Sequence, residues 1–188
     1  MANHVNSYIC IRQISEEGQK VWNEIVSRIQ EFEPLYGEYH LAHLWVDDIE
    51  EIDRSWMCEK VGAKWAYGSD MDEGGMRIQS AWSACFEFVE EVVRRIAEVD
   101  DSILIAYTYE DEMPNFIGAA VFNNEGQLDG EELDDGEIIE TLKEKDEELA
   151  GLWDEDEGWW TDDGELYYEL LWDFISDWQE EVFSSIVA

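Results

Sequence analysis

Apolar residues in the first 124 positions switch between a period of two and a period near 3.6. Val5–Ile14 is rich in strand formers, and Ser15-Glu16-Glu17 after it has the signature of a helix start, a capping serine with acids in the first turn. Val21, Trp22, Ile25, Val26, Ile29 and Phe32 then recur at helical spacing until Pro34 and Gly37 stop the pattern. Tyr39–Val46 reads as either a short strand or a short helix, and Glu50–Glu59 as a further short helix. Ala63–Tyr67 and Met76–Trp82 read as two strands joined by a glycine-rich hairpin loop over residues 68–75. Ser83 is placed to cap a helix whose inner face is Phe86, Val89, Val92, Val93 and Ile96. Ser102–Tyr109 and Phe116–Phe122 are two more strands, with Pro114-Asn115 in the turn between them.

The order strand, helix, strand, strand, helix, strand is that of a split βαβ unit. The expected fold is therefore α+β: a ferredoxin-like βαββαβ core with one extra strand and an insertion over residues 33–61. A boundary falls near Asn124, giving a first domain over 1–124 and an acidic, mainly helical extension over 125–188, expected to pack on it. In that extension Glu132–Leu149 has helical spacing, with Gly136 expected to break its first turn. Asp154–Gly164 reads as an acidic loop, and Glu165–Val187 as a long amphipathic helix capped by Asp162 or Asp163. The apolar face of that helix is Tyr167, Leu171, Phe174, Ile175, Trp178, Val182 and Ile186. Trp153, Trp172 and Trp178 are expected in the core.

Several short stretches carry a resemblance by their order. They are Ala2-Asn3-His4-Val5-Asn6-Ser7-Tyr8-Ile9, Gly62-Ala63-Lys64-Trp65, Gln79-Ser80-Ala81-Trp82-Ser83, and Tyr109-Glu110 followed by Phe116-Ile117-Gly118. Over residues 1–124 the chain resembles the YubB-like ferredoxin-like domain proteins of plasmids and bacteriophages. It departs from the pattern of that family at Val61 and Ala63, and at Ala84 and Cys85, where the family tends to carry prolines. The resemblance implies the fold and an origin in a mobile element, and it implies no catalytic residues.

Charge changes the picture more than any motif. The 188 residues hold 48 Asp and Glu against 11 Lys and Arg, a formal net charge of −37. With 10 Trp, 8 Tyr and 7 Phe the chain has enough apolar mass for a core, unlike a disordered acidic chain. A surface so negative is repelled by phosphate, which argues against direct contact with nucleic acid or an anionic membrane. The acid is also uneven. Residues 1–100 hold 20 acids and 9 bases, whereas residues 101–188 hold 28 acids and 2 bases, Lys143 and Lys145. Cys10, Cys58 and Cys85 form no CxxC pair and suggest reduced thiols. No secretory leader is expected at Met1–Cys10, and no apolar run approaches the ~20 residues of a membrane helix. A soluble protein of a bacterial host cytoplasm is the expectation.

Glu165, Glu169, Asp173, Asp177 and Glu181 recur every four residues along the last helix, so they share one face. Each like-charge pair at that spacing costs about 0.2–0.5 kcal/mol, and no Lys or Arg on the helix offsets it. Four residues of helix rise ~6 Å, close to the ~6.8 Å of two base-pair steps along one DNA strand. The stripe thus imitates a phosphate row in sign and pitch; the plain alternative is a solvated face. Asp154, Glu155, Asp156 and Glu157 extend the acid, and Trp159-Trp160 among them have the character of an interface anchor, set against the alternative that they fold onto the core.

Other chemistry fits less well. An EF-hand register through Gly136 or Gly158 puts Leu133 or Trp153 at a ligand position, so no calcium loop is expected. His40 and His43 near Asp47 and Asp48 lack a third ligand at a defined spacing. There is no HExxH, nucleophile elbow or phosphate-binding glycine loop. No cofactor, metal or catalytic residue is expected. The reading is a non-enzymatic inhibitor from a phage or plasmid. It would mimic nucleic acid and block the positive groove of a basic host protein such as a CRISPR effector, a restriction enzyme, a nuclease or RNA polymerase. The partner surface would be the helix stripe with residues 154–157, Trp159, Trp160, Asp162 and Asp163. The alternatives are an interaction module whose acid only solubilises it, and a salt-adapted protein.

Overall fold

The computed structural model describes residues 3–32, 38–50, 52–112, 115–145, 151, 153–154, 159–160 and 164–188, with backbone alone at 142–143, 145, 153–154, 159–160 and 164–170. It is an α+β protein. β1 (His4–Gln13) leads to α1 (Glu16–Gln30), a 3-10 turn (His40–Leu44), α2 (Arg54–Lys60), and the hairpin strands β2 (Ala66–Ser69) and β3 (Gly75–Ala81). Next come α3 (Phe86–Ala97), β4 (Leu104–Asp111), β5 (Phe116–Asn123), β6 (Gly126–Asp134) and α4 (Asp135–Lys145). A small ladder of β7 (Trp153–Asp154) and β8 (Trp159–Trp160) and the long helix α5 (Gly164–Val187) complete the chain. The six main strands form an antiparallel sheet in the order β2-β3-β1-β4-β5-β6.

α1 starts as expected. Ser15 Oγ accepts from Gly18 N at 3.1 Å, and Glu16 and Glu17 face the positive helix end. Asp53 caps α2 through Trp56 N at 2.8 Å. α1 and α3 cover one sheet face with Trp22, Ile25, Ile29, Phe88, Val89, Val92 and Ile96, all buried against Val5, Ile9, Met76, Ile105, Tyr107 and Phe122. The described part of 33–61 joins the same core through Leu41, Ala42, Leu44, Met57 and Val61. His40 is buried there. Its Nε2 lies 3.0 and 2.9 Å from the carbonyls of Ile29 and Phe32, and its Nδ1 accepts from Gly68 N at 3.3 Å. An Nδ1 that accepts places the ring proton on Nε2, and burial lowers the pKa in the same sense; the ring ties the end of α1 to β2.

The structure corrects several expectations. Residues 126–134, read as part of the mainly helical extension with 132–134 already in its first helix, form β6, paired to β5 from Phe116↔Asp134 to Asn123↔Gly126. Gly136 does not break the next helix. Asp134 and Glu137 cap each other reciprocally at 3.0 and 3.1 Å, which starts α4 at Asp135. Ser83 does not cap α3; its hydroxyl donates to Gly62 O at 2.6 Å, and the helix begins at Phe86. The β3 strand ends at Ala81, because Trp82 sits at φ 71°, outside extended backbone. Asp154, Trp159 and Trp160, placed in an acidic loop, form a short ladder with Trp153, paired as Trp153↔Trp160 and Asp154↔Trp159. Pro34, Gly37, Pro114, Asp162 and Asp163 lie outside the described residues.

The opposite sheet face is divided. At β5 it is apolar, and there Ile117 and Ala119 pack with Ile138 of α4 and Leu171, Ile175, Trp178 and Val182 of α5 in a second core. Toward β2 it is polar, and α5 stops short of covering it.

Candidate functional site

Register decides what lies on that uncovered half. Tyr67 opposes Gln79, Gln79 opposes Asn6, and Asn6 opposes Glu110, so four strands contribute one cross-sheet row. The next row on the same face is Ser69, Arg77, Tyr8 and Thr108. Within the first row the Tyr67 hydroxyl donates to Gln79 Oε1, and Gln79 Nε2 donates to Asn6 Oδ1 at 3.2 Å. Arg77 leans toward Asp70, with Nε 3.7 Å from a carboxylate oxygen.

α5 forms the other wall. Gln179 is buried beneath it and donates to Gly118 O at 3.2 Å and Tyr109 O at 3.5 Å, which pins the helix to the β4–β5 hairpin. Arg12 adds a second pin, pairing with Glu180 and lying 4.4 Å from the Phe183 ring centroid. Between helix and sheet lies a cleft of about 620 Å³ whose lining includes Asn6, Tyr8, Tyr67, Arg77, Glu110 and Trp172. A smaller recess of about 200 Å³ continues from it past Cys10 and Arg12. Tyr8 and Trp172 keep 39% and 38% of their surface open, enough to offer ring faces to a ligand.

Glu110 is the titrating group of the cleft. Burial pushes its carboxyl up to about 7, against the opposing pull of Gln179 and Arg77. A carboxyl raised in this way favours folding while protonated, and that contribution is lost as pH rises through about 7. Glu110→Gln should therefore gain about 1–3 kcal/mol on the wild type between pH 5 and pH 8 in urea unfolding. An unchanged difference at the two pH values would mean that the carboxyl is not held in this environment.

The sequence-derived partner residues fall elsewhere. Asp173, Asp177 and Glu181 are exposed on the outer face of α5, while Leu171, Ile175, Trp178 and Val182 face the sheet. Glu165 and Glu169 belong to the same helix, their side chains outside the description, as are those of Asp154, Trp159 and Trp160. Glu155, Asp156 and Glu157 lie outside the described residues, as do the two expected helix caps. Trp178 is in the core as expected, but Trp172 is not: it stands at the cleft mouth, one position from the buried Leu171. Cys85 is buried, which pushes its thiol up to about 12. The His40–His43 pair is absorbed in packing, with His43 stacked on Phe32 at 3.6 Å, and among the described residues no group of three His, Cys, Asp or Glu is placed to hold a metal. Among the described residues no helix is long and apolar enough to cross a membrane. Compared with protein-family models, curated proteins and solved structures, the chain matches none.

Proposed function

We propose that this chain is a non-enzymatic inhibitor carried by a phage or plasmid, which mimics nucleic acid and occupies the positive groove of a nucleic-acid-binding host protein in the bacterial cytoplasm. A CRISPR effector, a restriction enzyme, a nuclease and RNA polymerase all have such grooves. The observation that carries the reading is the outward carboxylate row of α5. Asp173 and Asp177 are exposed one helical step apart, and among the described residues neither has a cation within ion-pair distance. Among the described residues Arg12 meets α5 at Glu180, and other bases are paired away from the helix. Arg28 pairs with Asp47, Arg94 with Glu91 and Glu98, and Arg95 with Glu91, all on α1, α3 and their neighbours. On the partner, carboxylates would engage the Arg and Lys that hold phosphate, and long-range attraction would raise the association rate. The strand order β2-β3-β1-β4, with α1 and α3 on one face, supports reading the first part as a ferredoxin-like core, in keeping with the mobile-element resemblance.

The test is a tagged pull-down from bacterial lysate, eluted in salt steps and identified by mass spectrometry. One basic nucleic-acid-binding protein should be retained in stoichiometric amount beyond about 0.3 M salt and be displaced by its own DNA or RNA. A scatter of basic proteins, all lost between about 0.15 and 0.3 M salt, would be the behaviour of a polyanion and would end the proposal.

A further inference from the structure

The polar rows of the sheet, rather than the acidic stripe, build the cleft beside α5. We infer that this cleft receives a guanidinium group, presented on an arginine side chain of the partner protein. The inference rests on the reading of that partner as a basic protein, and it specifies how one of its cations is recognised.

Six observations converge. Glu110 places a half-buried carboxyl in the floor, and among the described residues no cation forms an ion pair with it. Arg77, the cation of the cleft, leans on Asp70 at the exposed rim, so the floor retains an acceptor for an incoming charge. Tyr8 and Trp172 supply open rings, and a guanidinium, planar and weakly hydrated, stacks on such faces better than an ammonium does. The fork of N–H donors matches a carboxylate with neighbouring amide oxygens, and Asn6 stands beside Glu110 in the same cross-strand row. The net charge of −37 draws cations in and turns phosphates away. A volume of about 620 Å³ admits the head group together with its aliphatic stem.

Groups around Glu110 fix the pH dependence. Arg77 faces it from β3, Asp70 from the β2–β3 loop, Tyr8 from β1, Tyr67 from β2 and Gln179 from α5. Among these groups, burial holds the Glu110 carboxyl at about 7. Its ionised fraction rises from about one tenth at pH 6 to about nine tenths at pH 8, so guanidinium binding should tighten about tenfold across that interval.

The experiment titrates the full-length protein with Nα-acetyl-arginine amide at about 0.15 M salt and follows amide and indole NMR shifts. Saturable shifts at Trp172, Asn6 and Glu110 are expected. They should be about tenfold tighter at pH 8 than at pH 6, and at least tenfold weaker in Glu110→Gln and in Trp172→Ala. Glu110→Gln should fold at least as stably as the wild type, so loss of binding in it is not loss of structure. Absence of saturable cleft shifts, equal binding by Glu110→Gln, equal binding of Nα-acetyl-lysine amide, or preference for inorganic phosphate would each overturn the inference. The probe involves no target protein, so its failure leaves the inhibitor reading to the pull-down, and failure of the pull-down leaves the cleft to the probe.

Discussion

Gly118→Ala should destabilise the protein by about 3–5 kcal/mol, the scale of losing a buried aromatic side chain. Gly118 lies directly opposite Tyr109 in the β4–β5 ladder. The Tyr109 side chain lies across it to reach β6, donating from its hydroxyl to Glu132 at 2.9 Å. A methyl group on Gly118 would overlap Cζ, Cε2 and the hydroxyl of that ring. The ring has no room to retreat. It is 4% exposed and packs edge-on against Phe86 at 5.3 Å, with Tyr107 at 5.7 Å and Phe116 at 6.1 Å. Displacing it removes the bond to Glu132 and opens the core beneath α3. The opposing gain, a less flexible unfolded chain, is only about 0.4–1 kcal/mol. For a chain of this length the midpoint of thermal unfolding should fall by roughly 10 °C. The cycle with Tyr109→Ala makes the argument specific. With the ring gone the added methyl fills vacated space, so the double variant should be no less stable than Tyr109→Ala alone. Additive losses would mean that the ring does not occupy the space over Gly118.

The same ladder explains what could be read in the sequence and what could not. α1, α3 and α5 are legible because apolar residues recur at helical spacing in each, and α1 adds a capping serine with acids in its first turn. The buried set Leu171, Ile175, Trp178 and Val182 is the face that periodicity picks out. β6 was hidden because Gly126–Asp134 has the composition of a loop, with two glycines and four acids. It is a strand because β5 offers it a ladder, and its carboxylates then guard an edge against further pairing. Trp172 was misplaced because a step of one residue on a helix turns about 100°, enough to move a tryptophan from the core to the rim. The cleft was invisible for a different reason. Asn6 and Tyr8, Arg77 and Gln79, and Thr108 and Glu110 each alternate with core residues in their own strands. Only the non-local register between strands brings them into two rows.

Reversing the outer face of α5, with Glu169→Lys, Asp173→Lys and Asp177→Lys together, should weaken binding to the target by at least about 100-fold while leaving the fold in place. The fold is spared because Leu171, Ile175, Trp178 and Val182 build the second core from the other side of the helix, and the substituted positions belong to the stripe that includes the exposed Asp173 and Asp177. Helix electrostatics change little. The new lysines repel one another at i,i+4 as the acids did. The two outer ones, at positions 169 and 177, then face Glu165 and Glu181 favourably, each pair contributing about 0.2–0.5 kcal/mol. Binding is different in kind, because three sites of attraction to a positive groove become three sites of repulsion. Most of the loss should appear in the association rate, and the salt dependence of the rate should flatten with it. Net charge alone has to be separated from the stripe. Glu24→Lys, Glu31→Lys and Glu73→Lys make the same change in total charge at exposed positions on and near α1. If the mimic reads as a row of phosphates, this control should cost far less than the helix triple. Equal losses would assign the attraction to bulk charge, and unchanged binding by the helix triple would remove the stripe from the mechanism.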